Sequence, residues 1–194
     1  RREIGVLYEA SHDILARGIA RDVVREHDKD HSADHDSRDH EPFCVLLNDI
    51  RSLHNVGSIF RTADGVGLEK IWLCGITGYP PQGGLAKTAL GADESVDWSY
   101  FESPSTCIKA LKDLGFKIIC VEQVKDSISL FEFKPDQNHT YAFVFGNEVF
   151  GVNDLFIKAA DYSLEIPQFG TKHSLNVSVC MGIVSYDFVS KLNV

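Results

Sequence analysis

The sequence holds no run of about 18 consecutive apolar residues, the least a membrane-spanning helix needs, so no transmembrane segment is expected. It also lacks an apolar signal core near its start, where Arg1-Arg2-Glu3-Ile4-Gly5 is charged and short of bulk. No two cysteines stand in a CxxC spacing. The five that occur, Cys44, Cys74, Cys107, Cys120 and Cys180, are odd in number and lie mostly in apolar stretches. A disulfide framework does not fit that pattern; buried reduced thiols in a cytoplasmic protein do. Internal repeats and a GxGxxG phosphate fingerprint are absent as well.

Positive charge is in short supply. Nineteen Lys and Arg stand against 28 Asp and Glu, a formal net charge of −9. Phosphate neutralisation supplies most nonspecific affinity for nucleic acid, so an RNA-binding role starts from a deficit. Part of the acidic excess is local, in residues 26–41, EHDKDHSADHDSRDHE. Elsewhere a basic patch survives if the charges segregate.

What is present is a chain of 194 residues, 44% hydrophobic and 24% charged, sufficient for one domain with a sizeable core. Residues 1–41 read as a unit of their own, an N-terminal helix followed by an Asp/His-rich linker. The helix spans 9–25, with Ile14, Leu15, Ile19, Val23 and Val24 as its apolar stripe. Arg17, Arg21 and Arg25 recur on one face, a solvated row or a contact for phosphate. His27, His31 and His35 have a metal-ligand spacing, but no closing ligand accompanies them, and a solvated linker is the expectation, with no metal site assigned.

From residue 42 to 194 the pattern alternates between strands and helices. Short apolar runs at Phe43–Leu47, Lys70–Cys74, Lys117–Val121, Tyr141–Phe145 and Tyr162–Ile166 read as buried parallel strands. Helices are expected over 55–66, over 103–114 with Ser103 as N-cap and Pro104 in the first turn, and over 153–160. Val56, Ile59, Phe60, Ala63 and Val66 give the first of these its buried stripe, and Arg61 lies about 140° away at 100° per residue. Thr77–Gly84 is a Gly/Pro-rich loop, and Lys87–Ala92 beyond it is either a surface helix or part of a site. This is an α/β doubly wound pattern, in which ligands bind beyond the carboxyl ends of the strands.

Ile166–Asp187 is the most informative stretch. Pro167 ends a strand, Gly170 frees the backbone, and Ser174 is the candidate N-cap of a last helix that begins at Leu175. Ser178, Gly182 and Ser185 fall on one face of that helix and leave it nearly bare, open to close approach by another backbone. Asn176, inside an otherwise apolar run, needs partners if buried. Gly146, at the end of Tyr141–Phe145, leaves room for a ligand to approach the main chain.

Three segments in this order, Asn55-Val56-Gly57-Ser58-Ile59-Phe60-Arg61-Thr62-Ala63-Asp64, Phe145-Gly146-Asn147-Glu148-Val149-Phe150-Gly151 and Ser174-Leu175-Asn176-Val177-Ser178, resemble the three signature motifs of the SpoU (TrmH-like) branch of the SPOUT RNA methyltransferases. The resemblance runs over residues 43–190. It implies a mostly parallel sheet with helices on both faces and a C-terminal trefoil knot, which pattern reading alone never suggests. It implies a homodimer through the knot region, S-adenosyl-L-methionine as cofactor, and methyl transfer to a ribose 2′-hydroxyl of tRNA or rRNA. The alternatives are a methyltransferase acting on a base, and a noncatalytic RNA-binding or ribosome-assembly protein on the same fold.

Residue by residue, the resemblance makes Arg61 the catalytic arginine. A guanidinium keeps its proton, with a pKa above about 12, so a clamp on phosphate suits it better than a free base. Asn55 then positions ribose or phosphate, Glu148 supports neighbouring side chains or loop amides, and Ser174 and Asn176 line the catalytic pocket. Gly146, Ile166, Ser174 and Leu175 surround the adenosyl half of the cofactor. Gln168, where a Met is commoner, and His173 are departures that bear on substrate fit.

Overall fold

The computed structural model describes residues 23–26, 43–68, 70–171 and 174–192. Eight strands form one sheet: β1 (Val23–Glu26), β2 (Phe43–Asn48), β3 (Lys70–Cys74), β4 (Asp97–Phe101), β5 (Lys117–Val121), β6 (Ile128–Ser129), β7 (Tyr141–Phe145) and β8 (Tyr162–Glu165). Their order is β1-β4-β3-β2-β7-β5-β8-β6. Every neighbouring pair is parallel except β1 with β4. The helices are α1 (Leu53–Val66), α2 (Gly83–Ala89), α3 (Ala92–Ser95), α4 (Pro104–Asp113), α5 (Asp154–Ala159) and α6 (Val177–Leu192).

All six residues of β2 are buried, because its two faces feed two cores. Phe43, Val45 and Leu47 pack with Ile59 and Phe60 of α1 and with Met181 and Phe188 of α6. Cys44 and Leu46 point the other way, among Leu111 of α4 and Phe156 of α5. A parallel sheet covered on both faces accounts for the unbroken apolar runs. Phe188 anchors α6, its ring centroid 5.0 Å from those of Phe43 and Phe143 in edge-on contact. Burial of such a side chain stabilises by about 1.5–3 kcal/mol.

The caps follow local chemistry. Ser52 Oγ accepts from Asn55 N at the start of α1, and Gly67, at φ 77°, ends it. Ser103 caps α4 with Pro104 in its first turn, as the sequence predicts. The last helix differs: Asn176 Oδ1, not Ser174, accepts from Ser178 N at 2.9 Å, so helix begins at Val177 rather than Leu175. An Asn that must be satisfied is satisfied here by capping.

Other expectations also shift. The helix expected over 9–25 lies mostly outside the described residues, and its last part, Val23–Glu26, is a strand with Val23 opposite Phe101. Paired β-branched residues suit a strand, and an open sheet edge at β4 recruits them over a local helical spacing. The histidines of the 26–41 segment lie outside the described residues. Lys87–Ala92 divides between α2 and α3, and α2 packs against α1 where Gly57 meets Leu85 O so closely that a Cβ would overlap it. The small-residue face of α6 is not an outer surface. Ser185 is fully buried, and a Cβ at Gly182 would sit 3.6 Å from Thr62 Cγ2 of α1. The outward face carries Val179, Ile183 and Tyr186 instead, all exposed.

The chain leaves β2 toward β3 on one side, and leaves β7 toward β8, beyond β5, on the other. Loops after β2 and β7 therefore diverge, the topological switch point at which open α/β sheets hold ligands.

Candidate active site

Three segments far apart in sequence converge at that switch point. Glu148, on the loop after β7, accepts from Arg51 N at 3.0 Å and Ser52 N at 3.1 Å, both in the loop that leads into α1. It also accepts from Asn55 Nδ2 at 3.0 Å. Asn55 Oδ1 accepts in turn from Asn176 Nδ2 at 3.1 Å, and Asn176 Oδ1 takes both Ser178 N and Ser178 Oγ. One hydrogen-bond chain thus runs Glu148–Asn55–Asn176–Ser178. Partial desolvation pushes the Glu148 carboxyl up, but the donors around it, Arg51 N and its own amide foremost, then Asn55 and Ser52 N, outweigh that and hold it below the usual glutamate range.

The loop after β7 is itself closed. Asn147 and Gly151 exchange both backbone hydrogen bonds at 2.9 Å. The buried Asn147 side chain accepts from Val149 N and Phe150 N and donates to Asp49 O. A Cβ on Gly146 would overlap the backbone of Gly151 and Val152, so the close approach that requires glycine there is made by the chain's own loop.

Beyond the ends of β5, β7 and β8 lies a cavity of about 510 Å3. Gly146, Glu148, Ile166, Ser174, Leu175 and Asn176 line it, together with Glu122, Glu165 and Cys180. Ile166 and Leu175 give it apolar walls. Glu122 accepts from Gln123 N and Val152 N, and Glu165 from Ser127 Oγ, so both carboxylates are fixed. Burial pushes the Cys180 thiol up, which keeps it protonated at neutral pH. Apolar walls with two anchored carboxylates suit a cationic ligand that carries a flat ring.

The model of the SpoU rRNA Methylase family matches residues 42–186. This chain belongs to the SpoU rRNA methylase family. It is 31% identical over 147 residues to the tRNA (guanosine(18)-2'-O)-methyltransferase of Aquifex aeolicus, covering 74% of this chain and 66% of that protein. It is 33% identical over 147 residues to the 23S rRNA (guanosine-2'-O-)-methyltransferase RlmB of Neisseria meningitidis, covering 74% and 56%. The chain therefore spans just under two thirds of the length of the curated relatives it matches. The crystal structure of the A. aeolicus TrmH/SpoU tRNA modifying enzyme superposes with a TM-score of 0.71 at 26% identity, over 79% of this chain and 77% of that one.

Within this SpoU fold, seven of the eight residues singled out in the sequence gather at one place: six line the cavity and Asn55 is bonded to two of those six. Arg61 stands apart. It is exposed on α1, two turns or about 9 Å along the axis from Asn55, with no side-chain partner among the described residues. Gln168 folds back, its Nε2 donating to Ile166 O at 3.0 Å, and His173 lies outside the described residues. Glu122, Glu165 and Asn147 escaped the sequence reading. Glu122 follows the end of β5 and Glu165 ends β8, so the strand-end rule that found Gly146 and Ile166 points to them as well.

Proposed function

We propose that this chain catalyses S-adenosylmethionine-dependent methylation of a ribose 2′-hydroxyl in tRNA or rRNA, with residues 42–194 as the methyltransferase domain. The observation that carries this is the Glu148–Asn55–Asn176 chain, which fixes all three motif loops around one ligand-sized cavity. The same residues in a noncatalytic RNA-binding protein would have no reason to converge on a cavity. Gly146, Ile166, Ser174 and Leu175 hold the adenosyl part, and Glu122 and Glu165 supply a negative field for a cationic ligand. The cofactor's contribution is an electrophilic methyl group on a sulfonium that leaves as a neutral thioether.

The remaining work falls to the chain. A ribose hydroxyl is a weak nucleophile, so it must be oriented and its proton accepted. Arg61 remains a cation and clamps the phosphate beside the target ribose with two parallel N–H donors. That phosphate takes the hydroxyl proton and passes it to solvent. Asn55, held by Glu148 and Asn176, and Ser174 at the cavity wall fix the ribose. Arg61 lies outside the cavity, so the substrate must bridge from one to the other.

The proposal includes the family's trefoil knot, formed by the chain from Ile166 into α6, and a homodimer. Val179, Ile183 and Tyr186, spaced i, i+4 and i+7 on the outward face of α6, supply a self-complementary apolar strip. Among the described residues no helix is long and apolar enough to cross a membrane. Free thiols at Cys44, Cys74, Cys107, Cys120 and Cys180 suit the reducing cytoplasm. Two measurements test the reading. Calorimetry with chelator present should show S-adenosylmethionine binding; no heat at millimolar ligand rejects it. Nucleoside mass spectrometry of RNA from a deletion strain should lack one ribose-methylated nucleoside, and an unchanged set rejects the activity.

A further inference from the structure

The loop 146–151 has a second side. Opposite the cofactor cavity, and sharing Asn147 and Gly151 with it, lies another cavity of about 480 Å3. Asp49, Arg51, Ile76, Phe150 and Asp154 line it. Phe150 is 85% exposed and Ile76 68%, although both stand on fixed backbone. Phe150 N donates to Asn147 Oδ1, and Ile76 N to Asp49 Oδ1. Asp49 Oδ2 accepts from Asn48 Nδ2, so that carboxylate is already used on both oxygens. The Arg51 guanidinium and the Asp154 carboxylate have no partner among the described residues.

A rigidly held, solvent-facing aromatic ring, an unpaired carboxylate and an unpaired guanidinium around one cavity match the three parts of a nucleotide. The ring offers a stacking face. The carboxylate accepts from base N–H groups, and the guanidinium takes phosphate. We propose that this second cavity holds the base of the target nucleotide and selects guanine. Guanine stacks on Phe150 and presents its N1–H and N2–H side by side to Asp154. Adenine, cytosine and uracil each lack that adjacent donor pair. The chain's charge of −9 gives the cavity a reason to exist: with little phosphate attraction to draw on, recognition must come from base contacts. The loop between the two cavities sets the ribose at its rim, within one nucleotide's length of the cofactor.

The proposal rests on the methyltransferase reading, so its test is a binding measurement that needs no turnover. NMR titration of the full chain with the four ribonucleoside 5′-monophosphates should show guanosine monophosphate binding most tightly and shifting amides in 149–154. Phe150→Ala should weaken every nucleotide, on the order of ten-fold, and Asp154→Asn should abolish the preference for guanine. Equal binding of all four nucleotides, shifts confined to another surface, or no shifts at millimolar ligand overturn the assignment. So does a Phe150→Ala chain whose oligomeric state changes, because the ring is then a subunit contact. Guanosine monophosphate bound as expected by a chain that methylates no RNA would retain the pocket and reject the activity.

Discussion

Replacing Glu148 by alanine tests the architecture of the site most directly. Its carboxylate takes three hydrogen bonds, from Arg51 N, Ser52 N and Asn55 Nδ2, at 3.0–3.1 Å. Hydrogen bonds to a charged acceptor contribute about 1.5–3 kcal/mol each when dry. Glu148 is exposed, so water replaces much of each lost bond. A net loss of about 1–2 kcal/mol is the reasonable expectation. In a domain of this size that lowers Tm by about 2–8 °C. Methyl transfer should fall much further, on the order of 100-fold, because Asn55 loses the partner that orients it. Glu148→Gln is the informative companion. With its carbonyl at Oε1 it keeps Asn55 and Ser52 but turns an NH2 toward Arg51 N, so it should lose stability yet retain most activity. The acid limb of the Tm profile carries a sign. A carboxyl held below its usual range stabilises above about pH 4.3 and loses that contribution as pH falls through its lower folded value. Wild type and Glu148→Ala should thus differ at pH 6 and converge in acid. A Glu148→Ala protein with wild-type Tm and turnover would show that the hydrogen-bond chain supports nothing.

Arg61→Ala should leave folding and cofactor affinity nearly intact while removing most methyl transfer, and Arg61→Lys should also be poor because a point charge does not reproduce the fork; single-turnover assays on the true RNA decide. Gly146→Ala drives a methyl into the Gly151–Val152 backbone and should cost about 3 kcal/mol or leave the protein insoluble, read by chemical denaturation. Gly182→Leu should lower stability by about 1–3 kcal/mol by overpacking against Thr62 without dissociating a dimer, whereas Ile183→Glu on the outward face should give a folded monomer by light scattering.

The parts legible in the sequence are those whose signal is local. Phe43–Leu47, Lys117–Val121 and Tyr141–Phe145 announce strands because both of their faces are buried, and Ser103-Pro104 announces a helix start in two residues. Asp97–Phe101 has no such run: Asp97 and Ser99 interrupt it, and only pairing with β3 and β1 makes it a strand. Ile128–Ser129 is too short to carry any period. At the site, motif residues declared themselves by type, but their connection did not. Nothing in the sequence says that Asn55 bonds both Glu148 and Asn176, or that Asn176 displaces Ser174 as the cap. The face of α6 misled for the same reason. Small residues mark close approach without naming the neighbour, and the neighbour is α1.

The hydrogen bonds that complete the site join residues 93 and 121 positions apart. A contact of that span forms only after most of the loop entropy between its ends has been given up, and such contacts slow folding. Asn176 begins the last helix, so during synthesis the cavity has no fourth wall until the C-terminal segment leaves the ribosome and docks. A nascent or C-terminally clipped chain can carry Arg61, Asn55 and Glu148 in place and still be inert. Activity is thereby tied to completion of the fold, and a partly folded chain has no assembled pocket with which to sequester cofactor or RNA.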